Sequence, residues 1–224
     1  MRTKKLFLTG LALMVFGLTT SIAQNYIGKP FEDSKYTGGA QIIPGRIYCA
    51  YYDFGGEGIS YHDTDKENHG SGELNPLNGT YLHAFRIAEG VDVSYTKSNE
   101  TDDSPYNFVE VPMGVHYIGW TDPGEWVKYT VDVKEAGKYS INLMYTSNRG
   151  GKIALSVNDE DATGPIEIKS TYRNDDPLGW RQWHHWNKMD NIAEIELQEG
   201  IQVLTLRTVE EGQMNYMWLD FTKK

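Results

Sequence analysis

The chain has 224 residues, with 21 basic and 31 acidic side chains and a formal net charge of −10. An acidic balance of this size repels phosphate backbones, which argues against a nucleic-acid partner and leaves neutral polymers open. Cys49 is the only cysteine, so no disulfide can form within the chain, and stability must come from the core or from a bound ion.

Arg2, Lys4 and Lys5 open the chain, an apolar run follows from Leu6 to Leu18, and Ser21-Ile22-Ala23 gives a small-x-small pattern. That three-part layout reads as a secretory signal over residues 1–23, cleaved after Ala23, and predicts a periplasmic or extracellular destination. The run is shorter than the about 20 residues a membrane helix needs, and nothing later is apolar enough to insert. Removing residues 1–23 takes away three basic side chains and no acidic one, leaving 18 against 31, a net charge near −13. Residues 24–42 read as a lead-in segment rather than core, and 43–224 as one domain. From Asp53 to Gly79 the chain is rich in Gly, Asp and Asn and reads as long loops, where binding sites commonly lie.

The second half alternates. Val127, Tyr129, Val131 and Val133 share one face of a predicted strand, and Tyr139, Ile141, Leu143 and Tyr145 share the next. Ile153, Leu155 and Val157 follow, then Ala193, Ile195 and Leu197, then Leu204 and Leu206, and finally Asn215 to Phe221. Period two marks half-buried antiparallel strands. Turn signals separate them at Glu135-Ala136-Gly137, Asn148 to Gly151, Asn158 to Asp161 and Glu199-Gly200. The fold class is all-β, a sandwich of jelly-roll type.

Six Trp and fifteen Tyr exceed ordinary core needs, so some rings are expected to face solvent as contact surfaces. Three stretches carry a family pattern. The first is Ile43-Pro44-Gly45-Arg46-Ile47 leading to Tyr52-Asp53-Phe54-Gly55-Gly56-Glu57-Gly58 and Tyr61-His62-Asp63; the second runs from Gly119-Trp120-Thr121-Asp122-Pro123-Gly124-Glu125-Trp126 to Tyr129. The third joins Gly179-Trp180-Arg181-Gln182-Trp183 to Glu199-Gly200 and Asn215-Tyr216-Met217-Trp218. Over roughly residues 43 to 222 the chain resembles the family 6 carbohydrate-binding modules of bacterial glycoside hydrolases.

The resemblance implies a ligand cleft on the loops at one end of a jelly roll, where two rings hold a sugar between them. At the matching positions these are Trp120 and Trp180, with Asn215 bonding the hydroxyls. Pyranoses offer flat C–H patches that an indole covers and a rim of hydroxyls that an amide can both donate to and accept from. Trp183 reads first as core and, as a weaker candidate, as lining the site; Trp126 and Trp218 read as core. Asn215 has a second reading, as a cap on the hairpin after Glu211-Gly212.

Two departures stand out. Where the family carries Glu-Ala-Glu, whose carboxylates help hold a structural calcium, this chain has Tyr48, Cys49 and Ala50. Calcium wants several oxygen ligands with carboxylates prominent, and Asp220 alone would bind weakly, so no metal or other cofactor is expected. The stretch Glu89 to Met113, with Asp102, Asp103 and Tyr106, is longer than the family norm. It reads as a solvated loop, or alternatively as a segment that reshapes the cleft rim.

The expected function is non-catalytic binding of a polysaccharide or oligosaccharide, beside a co-secreted glycoside hydrolase. An enzyme is not expected. Asp63, Asp65, His62 and Glu67 form the densest acidic group, but in a hydrophilic loop unsuited to raising a carboxyl pKa. Asp122 and Glu125 come next, and in the resembled family Glu125 belongs to the turn. His184 and His185 are adjacent, so in a strand they would point apart. A small secreted glycoside hydrolase using the acidic loop, or a surface interaction protein that has lost sugar binding, are the alternatives.

Overall fold

The computed structural model describes residues 25–98 and 100–224; residues 1–23, read as an export signal, lie outside them. Two sheets face each other. The first runs β1 (Gln41–Ile43), β6 (Trp126–Val133), β12 (Gly200–Glu210), β8 (Gly151–Val157) and β10 (Ile166–Ile168), with β3 (Tyr61–His62) on β6 and β9 (Glu160–Asp161) on β8. The second runs β11 (Asn187–Leu197), β7 (Gly137–Ser147), β13 (Met214–Lys223), β5 (His116–Ile118) and β4 (Val93–Tyr95), with β2 (Gly45–Tyr48) also on β13. Among the strand-to-strand pairings of the described residues, β1 pairs in parallel with β6 and the rest are antiparallel. A single turn of helix, α1 (Tyr81–Ala84), stands outside the sheets. Among the described residues no helix is long and apolar enough to cross a membrane.

The predicted alternation is the buried pattern. Val127, Tyr129, Val131 and Val133 of β6 are buried, and the register sets Tyr129 opposite Leu204 and Val127 opposite Leu206 of β12. Facing them across the sandwich are Tyr139, Ile141, Leu143 and Tyr145 of β7 and Tyr216, Leu219 and Phe221 of β13, all in one core. Each buried aliphatic or aromatic side chain contributes on the order of 1.5–3 kcal/mol.

A register shift between Tyr216 and Trp218 on β13 inserts one extra residue. Tyr216 and Leu219 therefore both face the main core, while Met217 and Trp218 turn to the other side of the sheet. There they meet Tyr117, Met144 and Trp186 in a second apolar cluster, over which Val109, Val111 and Val115 pack.

Three expectations change. The segment 24–42 was expected to lie outside the core, yet Phe31 is buried, its ring 5.0 Å from Tyr51 and 5.5 Å from Phe85. Its irregular, Gly-rich sequence carries no period, so the burial of one ring is invisible until the fold closes over it. The stretch Glu89 to Met113 is no solvated loop: it carries β4, buries Asp102 and covers the second cluster with Val109 and Val111. Trp126, read as core, is half-buried on the outer face of the first sheet, its ring 6.3 Å from His62 and under Lys128 and Arg207.

Candidate functional site

Trp120 ends the short segment after β5, in a left-handed backbone conformation with φ 48°, a costly region for a bulky residue. Several bonds hold it there. The Trp120 N–H donates to Asn215 Oδ1 at 3.2 Å, Thr121 Oγ1 donates to the Met214 carbonyl at 3.0 Å, and Gly119 N–H donates to the Asp92 carbonyl at 2.9 Å. A Cβ at Gly119 would stand 2.9 Å from Asn215 Oδ1, so the close approach needs glycine.

Asn215 itself is buried, with 1% of its surface exposed. Its Nδ2 donates to Thr146 Oγ1 at 2.7 Å and lies 3.0 Å from His184 Nδ1. Both amide hydrogens and the carbonyl oxygen are thus engaged within the fold, where the sequence had suggested an amide facing the sugar.

His184 belongs to the loop that carries the other two tryptophans. Trp183 is half-buried with its ring edge-on to His184, centroids 5.1 Å apart. Trp180 stands three residues earlier, in a 3-10 turn (Gly179–Arg181), and is 58% exposed. Among the described residues no other aromatic ring contacts Trp120 or Trp180, so their faces are not spent on stacking within the fold. The loop is pinned by Arg181, which is buried and forms a paired bond to Asp176 at 2.6 and 3.0 Å while its Nη1 donates to the Glu100 carbonyl. Those bonds hold the Asp176 carboxyl below its usual range. Further along the same loop, Gln182 Oε1 accepts from the hydroxyl of the exposed Tyr172 at 2.7 Å. Trp120, Asn215 and Trp183 are therefore joined through His184, and Trp180 sits at the outer edge of the same loop.

The acidic groups lie beside the turn that follows Trp120. Glu125 binds that turn together: its Oε2 accepts from Asp122 N–H at 2.7 Å and its Oε1 accepts from the Thr64 N–H and hydroxyl at 3.1 and 2.7 Å. Asp63 is pushed up to about 7, by burial first and then by the charge of Glu125, against the Asp65 N–H that donates to it. Asp92 is raised to about 6, again mainly by burial, with the His69 N–H opposing. The raised Asp63 carboxyl was not foreseen from its hydrophilic flanks. The cavity lined by His62, Asp63, Glu125 and Trp126 holds only about 20 Å³, room for one water rather than a pyranose.

The residues at the family's calcium position do not fit the ion. Gln41 Nε2 donates to the carbonyls of Tyr48 and Tyr51 at 3.3 Å each, and the Tyr129 hydroxyl donates to the Cys49 carbonyl at 3.0 Å. Asp220 accepts from Arg46 at 2.8 and 3.3 Å, and that guanidinium lies 3.7 Å over Trp218. The Tyr48, Cys49 and Tyr51 carbonyls thus already carry N–H and O–H donors, and the Asp220 carboxylate carries a guanidinium. Among the described residues no group of three His, Cys, Asp or Glu side chains is placed to hold a metal ion.

Residues 83–223 match the family model of the carbohydrate binding module (family 6). The chain belongs to this family. Within the match fall Trp120, Trp180, Trp183 and Asn215, while Tyr48 to Ala50 precede it. Among solved structures, a family 6 module from Clostridium stercorarium in complex with cellobiose is 15% identical and aligns with 84% of this chain and 100% of its own, with a TM-score of 0.50. A β-1,3-glucan-binding family 6 module from Bacillus halodurans is 18% identical over 81% of this chain and 98% of its own, TM-score 0.47. A module of lichenase 5A from Cellvibrio mixtus, in complex with cellotriose, is 21% identical over 60% of this chain and 88% of its own, TM-score 0.41. At 15% identity the likeness to the Clostridium stercorarium module is one of fold. No match was found among curated proteins.

Proposed function

We propose that this family 6 module is a non-catalytic binder of a neutral polysaccharide or oligosaccharide, acting after export and beside a co-secreted glycoside hydrolase. The sugar rests against the indole faces of Trp120 and Trp180, with Trp183 at the base of the site. The observation that carries this reading is the single hydrogen-bonded unit Trp120–Asn215–His184, which ties Trp120 to the loop presenting the exposed Trp180. Asn215 serves from behind by fixing the Trp120 backbone. The reading includes no metal, and it is supported by the bonds that engage the Tyr48 carbonyl with Gln41 and the Asp220 carboxylate with Arg46.

Affinity electrophoresis through gels carrying glucans, xylans, galactans or agarose tests the reading. Trp120→Ala and Trp180→Ala are each expected to cost about 2 kcal/mol or more, roughly 30-fold in affinity for the retained polymer. Unchanged retention in both variants rules out this face.

One observation favours a second reading, a glycoside hydrolase: the raised Asp63 carboxyl beside Glu125. Against it stand the small cavity and the three bonds that commit the Glu125 carboxylate to Thr64 and Asp122. Reducing-sugar release from the same polymers, lost in Asp63→Asn, is the result that would revive it.

A further inference from the structure

We infer that Asp102, within the extended stretch between β4 and β5, is a positioning residue for the binding face, acting through the tautomer of His184 and the orientation of Asn215. The inference rests on the proposed Trp120–Trp180 site and names what sets it.

Asp102 is fully buried, with no exposed surface. Its Oδ1 accepts from Trp186 Nε1 at 2.6 Å and lies 2.8 Å from His184 Nε2, and its Oδ2 accepts from the Lys97 N–H at 2.7 Å. Indole and backbone nitrogens only donate, so both carboxylate oxygens act as acceptors and the hydrogen of His184 sits on Nε2. The Nδ1 lone pair is left to accept from Asn215 Nδ2.

The same assignment follows from the opposite end. The Trp120 N–H needs an acceptor, so the amide oxygen of Asn215 must face it and the amide nitrogen must face His184 and Thr146. An imidazole carrying a hydrogen on Nδ1 would set donor against donor. Turning the amide to relieve that clash would present N–H to the Trp120 N–H instead. One polarity therefore runs through the chain from Asp102 to Trp120, across separations of 82, 31 and 95 residues.

The consequence falls on the ring. Trp120 is in a left-handed conformation, and Asn215 is the only acceptor of its N–H among the described residues. Trp183 leans edge-on against the same histidine, so its seat depends on where that ring is held. Asp102 is held in turn by its own stretch: Asn107 Nδ2 donates to its carbonyl at 2.6 Å, and Asn107 Oδ1 accepts the Trp186 N–H at 3.0 Å. The extended stretch thus does more than cover the second cluster; it selects the hydrogen-bond polarity on which the face is built.

Long-range proton–nitrogen spectra of the full chain with labelled histidine report the tautomer directly. The wild-type chain is expected to show His184 with its hydrogen on Nε2; a hydrogen on Nδ1 overturns the inference, and this reading needs no variant to fold. Asp102→Asn cannot satisfy Trp186, His184 and Lys97 together. It is expected to shift the His184 tautomer and the Trp120 backbone amide resonance, and to weaken retention by the best-bound polysaccharide about tenfold, the scale of one broken buried hydrogen bond. Asp103→Asn, an exposed neighbour with the same charge change, is expected to alter none of these. Asp102→Asn with native tautomer, native Trp120 resonance and native retention overturns the inference. If the wild-type chain is retained by no polysaccharide, the proposed site fails, while the tautomer and the Trp120 resonance still decide the role of Asp102.

Discussion

Asp63 shows how a residue's neighbours redirect chemistry that its sequence context does not suggest. Its flanks are polar, yet burial and the charges of Glu125, Asp92 and Asp65 raise it to about 7. Between its ordinary value of 3.8 and that level the folded state holds a proton that the unfolded chain has released. Stability from this group is therefore present at low pH and lost as pH rises through the window. Asp92, raised to about 6, acts in the same direction. Asp63→Asn keeps a carbonyl for the Asp65 N–H and removes the charge. Its melting temperature is expected to exceed wild type at about pH 8 and to match it at about pH 4. Thermal scans at both values check this, and an equal difference at the two would show that the carboxyl does not titrate as described. Asn215 makes the complementary point. Its place at the start of the last strand was legible, but the direction of its amide depends on His184 and Trp120, which are distant in sequence.

At the scale of elements, the strands announced themselves because alternation over five or more residues has one physical outcome, a half-buried strand. The predicted strands of the second half coincide with β6, β7, β8, β11, β12 and β13. The stretch from Glu89 to Met113 did not announce itself. Its apolar residues alternate only over two short runs (Val91, Val93, Tyr95 and Val109, Val111, Met113) separated by a polar segment, and Asp102 reads as solvent-facing until three donors converge on it. Trp186 binds this stretch to the sheet: it is fully buried, its N–H and carbonyl bond Asn107 and Phe108, and its indole nitrogen donates to Asp102. Trp186→Phe keeps a ring in the second cluster but removes that donor. It is expected to cost about 1–3 kcal/mol, the penalty for depriving a buried acceptor. Urea denaturation should show the midpoint falling with the slope unchanged; an unshifted midpoint would mean that the indole bond contributes nothing.

For the molecule as a whole, the sandwich closes around one apolar core from Phe31 to Phe221. Around Tyr48 to Ala50, where the resemblance implies a calcium site, Gln41 spans the Tyr48 and Tyr51 carbonyls, and Arg46 pairs with Asp220 on the neighbouring strands β2 and β13. The melting temperature is therefore expected to be the same with a chelator as with millimolar calcium. A rise beyond about 3 °C on adding calcium, about 1 kcal/mol for a chain of this size, would reveal a bound ion. Arg46→Ala is the companion variant, since it frees the Asp220 carboxylate. A calcium response that emerges only in this variant would show that the guanidinium holds the ion's place.

The sequence by itself determined the all-β class, the order of the main strands, the family likeness and the identity of the tryptophans nearest the loops. These are local properties: periodicity, turn residues and short motifs survive without knowledge of what packs on them. Only the tertiary structure decided that Phe31 enters the core, that Trp126 faces outward, that Asp63 is raised and that Asn215 is turned inward. Each of these depends on groups far apart in the chain meeting in a buried space, where every polar atom must find a partner. The chemistry around the Trp120 face, unlike the strands that carry it, is a property of that meeting.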